Sequence, residues 1–290
     1  MINGILPSEE DKLGELIKIY RKKYIRTSQE IVDKIFSENA NFIQTIKNKQ
    51  VSCTIKRLRE LIWNEYLKDE AKFNTALMSE LHKSLKTPKA ILDNLVSDGI
   101  VGLSKDKLLS KIREVCGAYA GSIFPYAYKI SLSTTNSRRS RAGKTFESII
   151  YKIYEVLHYE FDSQAKVGRK IFKAQDLGKK VDSIIPSIAC FEEKRDKTII
   201  GTMKTSLRER WQEVAEEIAR INIPTIHLLT VDENISVSKA QEMKTHNIII
   251  VTYDWVSDSG KISSMKNVIS FEDYLFTEIP SVLKFWQSSK

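Results

Sequence analysis

Glu147, Asp182, Lys204 and Glu217 have side chains that suit one chemistry. Three carboxylates with no histidine among them offer the hard oxygen ligands that Mg2+ takes. The lysine can contact a phosphate or orient an attacking water, and a bound Mg2+ can activate that water and neutralise charge. An isolated Asp and Lys between two strands is a weak signal, because most such pairs are surface residues. Beyond Lys204, after Thr205, Ser206 and Leu207, come Arg208, Glu209 and Arg210. Arginine can donate two bonds to guanine O6 and N7, and glutamate can accept one from cytosine N4, so this triplet can read G·C pairs in the major groove. Arg138, Arg139, Arg141 and Lys144 form a basic run. Such a run suits phosphate contacts, which position a duplex without reading it, or an ordinary solvated loop.

The elements that must position these residues follow from the apolar pattern. Ile199-Ile200 reads as a strand that delivers Lys204 at its end, and Val181 to Pro186 as a strand with Asp182 at its start. Neighbouring strands lie about 4.8 Å apart, so the two can converge if the strands pair. Thr205 and Ser206 offer a helix N-cap, and Leu207, Trp211, Val214 and Ile218 recur at helical spacing, which predicts helix 207–221. At about 100° per residue, Glu217 falls about 80° from Leu207, on the flank of the apolar stripe, and Glu216 about 180° away. Glu217 is therefore the acid expected near the body of the protein. The same spacing also fits an amphipathic helix with a solvated charged face. Thr225 to Thr230 reads as a strand, Ser236 to His246 as a helix and Ile248 to Val251 as a strand. Strands alternating with helices imply a parallel sheet with helices packed on it.

Upstream, residues 8 to about 118 read as almost entirely helical. Helices are predicted from Ser8, from Ser28, over Thr54 to Leu67, Ala71 to Leu85, Thr87 to Leu95 and Lys105 to Cys116. From Gly117 to Ser137 the composition shifts to small, aromatic and hydroxyl residues. The basic run then opens a helix carrying Glu147, with Phe146, Ile149, Ile150, Ile153 and Tyr154 on its apolar face. Four cations at a helix start oppose the macrodipole, a cost that a bound polyanion would offset. The expected division is a mainly helical region, 1–118, and an α/β (α+β) core, 119–290, with a mixed central sheet flanked by helices.

Composition narrows the classes. The 290 residues hold 46 Lys+Arg against 37 Asp+Glu, a formal charge of +9. That balance favours a polyanion, nucleic acid before membrane. Cys53, Cys116 and Cys190 show no CxxC spacing, and the four histidines form no metal-ligand pattern. The first residues lack a basic segment followed by a long apolar one, and no apolar run reaches membrane-spanning length. A soluble, cytoplasmic protein is expected.

The run Arg138-Arg-Ser-Arg-Ala-Gly-Lys-Thr-Phe-Glu147 resembles the basic segment leading to a helical glutamate in type II restriction endonucleases of the PD-(D/E)XK superfamily. The resemblance is to the EcoRII/SsoII/PspGI-like group, which cuts CCGG, CCNGG and CCWGG cores. Asp182 and Lys204 followed by Glu217 resemble that group's swapped active site, in which the second acid has moved from the strand to a helix. Thr202 stands where the strand acid usually is, and Val181 where proline often is. Lys204-x-x-x-Arg208-Glu209-Arg210 resembles the recognition motif of the CCNGG cutters. The resemblance spans roughly residues 130 to 230.

It implies a prokaryotic, Mg2+-dependent restriction endonuclease paired with a cognate DNA methyltransferase. It also implies dimerisation and DNA contacts for region 1–118 and a nuclease core for 119–290. Asp182, Glu217 and Glu147 would bind metal, and Lys204 would act in catalysis with them. A homodimer would read double-stranded DNA at a palindromic CC/GG core, CCNGG-like with flanking pairs left open. Cutting would fall before the first C, with the central bases flipped. Trp63 is the candidate stacking platform, or else a core tryptophan of its helix. Two other readings stand beside this one: a structure-selective repair nuclease or junction resolvase, and a catalytically dead DNA-binding regulator.

Overall fold

The structure is a computed structural model that describes residues 5–86, 89–90, 93, 102–174, 181–207, 212, 215–216 and 224–288. Arg208, Glu209, Arg210 and Glu217 lie outside the described residues, as do most of helix 207–221 and of the Thr87 to Leu95 helix. The chain divides into two compact units. One comprises Met1–Ile31 and Trp63–Arg141, the other Val32–Ile62 and Ala142–Lys290, so each draws on both sides of residue 118.

The first unit is helical. Leu13 and Ile17 of the Pro7–Tyr24 helix pack with Phe73, Leu77 and Leu81, and with Ile123, Tyr126 and Ile130. Two sequence expectations need correction here. The helices expected over Thr54 to Leu67 and Ala71 to Leu85 are one 34-residue helix, Val51–Ser84. The charged step Lys68-Asp69-Glu70 reads as a break when only apolar positions are counted. Asp69 and Glu70 are instead each 3% exposed and continue the buried face. Arg26 holds Asp69 through Nη2 to Oδ1 at 2.8 Å, and Arg138 holds Glu70. Burial of such carboxylates is tolerable only with partners of this kind.

The second correction concerns Gly117 to Ser137. It does not separate two helices: Lys105–Val156 is one helix of 52 residues, with Pro125 inside it. Ile123, Tyr126 and Ile130 are buried at helical spacing within the small-residue stretch. The basic run therefore sits in mid-helix. The macrodipole acts within the first and last turns, so the expected conflict at a helix start does not arise.

The second unit is built on a six-stranded sheet in the order β1-β2-β3-β4-β5-β6. The strands are β1 Asp162–Ser163, β2 Ser183–Ile185, β3 Ile199–Lys204, β4 Ile226–Thr230, β5 Ile248–Thr252 and β6 Val268–Ser270. β1, β2 and β3 pair antiparallel, and β3 to β6 pair parallel. This is the mixed sheet expected, with the parallel run where the alternating pattern placed it. β4 is buried at every residue, and β3 is too up to Lys204, as parallel strands covered on both faces are. The Val237–Thr245 helix between β4 and β5 starts where Ser236 Oγ accepts the Lys239 N–H at 3.3 Å. Among the described residues no helix is long and apolar enough to cross a membrane.

Candidate active site

Pairing of β2 with β3 sets the centre of the site. Ser183 is registered against Gly201, and the Asp182 N–H donates to the Gly201 carbonyl at 2.9 Å. One step further along the antiparallel pair, Asp182 lies opposite Thr202. Its Oδ2 accepts the Met203 N–H at 2.6 Å and the Thr202 hydroxyl at 3.4 Å. Lys204 Nζ stands 3.8 Å from the same oxygen. Among the described residues every hydrogen bond and ion pair to this carboxylate falls on Oδ2, which leaves Oδ1 as a hard oxygen donor. Both side chains are recessed, 15% exposed for Asp182 and 14% for Lys204. Burial pushes the Asp182 carboxyl up, and Lys204 and the Met203 N–H pull it back part of the way. A recessed carboxylate that resists its own charge is a good receptor for a cation. Thr202 takes the place of the second strand acid with a neutral hydroxyl, so no like charge adds to that cost.

Glu147 is half-buried on the Lys105–Val156 helix. One turn later Tyr151 donates its hydroxyl to the Asp182 carbonyl at 2.8 Å and stacks on Phe161 at 5.4 Å. The phenol is raised far above its ordinary value, first by burial and then by the charges of Asp182 and Glu147. Tyr151 thus ties the helix of Glu147 to the start of β2, and both acids act on one buried hydroxyl. Sequence reasoning missed Tyr151, although its position four residues after Glu147 marks it as a neighbour on the same helix face. Among the described residues no group of three His, Cys, Asp or Glu is placed to hold a metal ion. Glu217, the third carboxylate of the expected set, lies outside them.

Gly201 is required by packing. A Cβ there would run into Ser183 Oγ, next to Asp182, with Leu229 Cδ1 at 3.7 Å behind it. Gly201→Ala should therefore cost about 1–3 kcal/mol by overpacking and lower DNA cleavage with it. Ser183→Ala removes the atom that is struck, so the double variant should recover most of both losses. Thermal melts and a cleavage assay on the two singles and the double check this. Additive losses in the double would show that the clash is not the cause.

Trp63, Arg138, Arg139 and Arg141 belong to the first unit and Lys144 to the second. Trp63 is 39% exposed, so it is not a core residue. Its ring lies 5.3 Å from that of Tyr66, and the Arg138 guanidinium sits 5.8 Å over it. Arg138 Nε donates to Glu70 Oε1 at 2.9 Å, and Tyr66 donates to the same oxygen at 2.8 Å. Arg141 lies 4.6 Å over the Tyr66 ring and donates to the Arg26 carbonyl. Arg138 and Arg141 are thus engaged by protein groups, although Arg138 is itself exposed, as Arg139 and Lys144 are.

A mixed sheet whose antiparallel-to-parallel junction carries a recessed Asp and Lys on adjacent strands defines a restriction-endonuclease-like core. The chain belongs to the EcoRII C terminal family, whose model matches residues 119–275. It is 31% identical over 218 residues to the type II restriction enzyme SsoII of Shigella sonnei, covering 75% of this chain and 65% of that protein. The chain thus spans just under two thirds of that relative. The structure of metal-depleted Ecl18kI in complex with uncleaved DNA is similar at a TM-score of 0.72 and 28% identity, covering 97% of this chain and 86% of that one. A PspGI–substrate DNA complex shares the fold at a TM-score of 0.60 and 19% identity, covering 91% and 94%. The family is the one that the Arg138 to Glu147 segment and the Asp182, Lys204 and Glu217 order resemble.

Proposed function

We propose that the chain is a type II restriction endonuclease that cuts both strands of DNA at a palindromic CC/GG core, CCNGG-like, before the first C. The observation that carries this is the recessed Asp182 beside Lys204 at the junction of β2 and β3, in a chain of this family. Asp182 Oδ1, with Glu217 and Glu147, offers an all-oxygen donor set that fits Mg2+. Mg2+ held there supplies activation of water and neutralisation of charge at the scissile phosphate. Lys204, kept within reach of Asp182 but not bonded tightly to it, orients the attacking water or takes a phosphate oxygen. Tyr151 holds the Asp182 backbone, and Thr202 steadies its carboxylate.

Arg208, Glu209 and Arg210 read the G·C pairs, and a homodimer presents two copies to the two halves of the palindrome. Arg139 and Lys144, exposed on their helix, contact phosphates. Exposed Trp63 serves as the platform for an extruded central base, which offsets part of the unstacking cost. The protein works in the prokaryotic cytoplasm beside a cognate methyltransferase that protects the host's own sites.

A digest of phage DNA with and without Mg2+ tests the reading. Discrete bands that appear only with Mg2+ support it, and run-off sequencing of those bands gives the site and the cut position. Degradation without preferred positions would favour a structure-selective nuclease. Specific binding without any cutting would favour a regulator.

A further inference from the structure

We infer that Asp232 is a positioning residue for sequence recognition, because its carboxylate anchors the backbone at Leu207, directly before Arg208, Glu209 and Arg210. This rests on the proposed function and adds to it an anchor for the backbone at the residue the readers follow. The Leu207 N–H donates to Asp232 Oδ2 at 2.8 Å, and the Leu207 side chain is fully buried. Asp232 is itself held at two points. Its Oδ1 accepts the Asn234 N–H at 3.1 Å, and its own N–H donates to Thr230 Oγ1 at 3.1 Å. Thr230 is fully buried at the end of β4 and is the register partner of Lys204 on β3.

Two paths therefore join Lys204 to Leu207. One is the covalent step through Thr205 and Ser206. The other runs across the sheet to Thr230, on to Asp232 and back through the carboxylate. Together they close a ring, so the short segment between the lysine and the first reader cannot swing without breaking a bond to an ionised acceptor. Such bonds are roughly twice as strong as neutral ones. Bidentate base contacts demand placement within about 0.5 Å, so a loosened anchor removes discrimination between sites. An aspartate bonding a backbone N–H two residues on is a common turn device, which is why Asp232-Glu-Asn234 reads from sequence as an ordinary loop.

The test compares cleavage of the cognate duplex with cleavage of a duplex changed at one G·C pair. Asp232→Ala should lower kcat/KM on the cognate duplex much more than on the changed one, so that their ratio falls by about tenfold. Asp232→Asn keeps one acceptor oxygen where the carboxylate offers two, to the Leu207 and Asn234 N–H groups, and its ratio should fall between those of alanine and the wild type. A wild-type ratio in a folded Asp232→Ala variant overturns the inference. Should Asp232→Ala fail to fold, Thr230→Val decides. It removes only the hydroxyl that holds Asp232, and it should lower the ratio in the same direction, whereas a wild-type ratio would overturn the inference. A wild-type chain that cuts without preference sinks the recognition reading and this inference together. A specific wild type with unaffected variants sinks this inference alone.

Discussion

Lys204→Ala and Asp182→Asn should each lower DNA cleavage by about three orders of magnitude while leaving specific binding measurable. Asp182, directly before β2, is the carboxylate that stands against Lys204 among the described residues, at 3.8 Å. Asparagine keeps the shape and can still accept the Met203 N–H, so the fold at β2 and β3 should survive. It removes the negative charge that a divalent cation requires. Alanine at 204 removes a cation that lowers the Asp182 carboxyl by its charge, and burial then pushes that group further from ionisation. Single-turnover cleavage measured beside a gel-shift assay separates the two effects. Cleavage near the wild-type rate by either variant would end the assignment of this centre. On the proposed reading Glu217→Ala should fall in the same class and Glu216→Ala should not, because the sequence spacing is expected to put Glu217 on the flank of the apolar stripe, and Glu216 is exposed.

The approach of Asp182 and Lys204 was legible in the sequence because parallel-sheet strands announce themselves as apolar runs, and a charged residue at the end of such a run stands out. Ile199, Ile226 and Ile248 each begin a strand of the parallel part of the sheet. The long helices were harder to read. Asp69 and Glu70 look like a solvated break because each is charged, and their partners, Arg26 and Arg138, lie 43 and 68 residues away. Nothing local can reveal a pairing at that distance. Gly117 to Ser137 misled for the opposite reason. Its glycines and hydroxyls lower helix propensity, but burial of Tyr126 and Ile130 overrides a preference worth only about 1 kcal/mol per residue. Tyr151 and Asp232 were overlooked because their contacts are with backbone atoms. A bond to a carbonyl or an N–H leaves no complementary side chain in the sequence to search for.

Arg138→Ala should destabilise the protein by about 1–2 kcal/mol, whereas Arg139→Ala should leave stability unchanged and weaken DNA binding alone. Both belong to one basic run, yet they face different partners. Glu70 is buried to 4% side-chain exposure, and Arg138 grips both of its oxygens. Removing the arginine leaves a buried carboxylate with Tyr66 as the hydrogen-bond donor that remains. In the native protein burial would raise the Glu70 carboxyl, but Arg138 and Tyr66 outweigh it and hold the group below its ordinary 4.5. A lowered carboxyl contributes stability above that value and loses it as pH falls through the folded one. In the variant burial is opposed mainly by the Tyr66 hydrogen bond, the carboxyl rises, and ionising it costs stability at neutral pH. The deficit should therefore be largest near pH 7 and shrink as pH falls toward 4.5. Urea titrations of both variants at several pH values measure this. Arg139, exposed on the same helix, should instead make the salt dependence of DNA binding shallower by roughly one unit, equally on specific and scrambled duplexes. An Arg138→Ala variant with native stability and the same shift in salt dependence would show that this guanidinium serves the DNA and that its pairing with Glu70 is incidental.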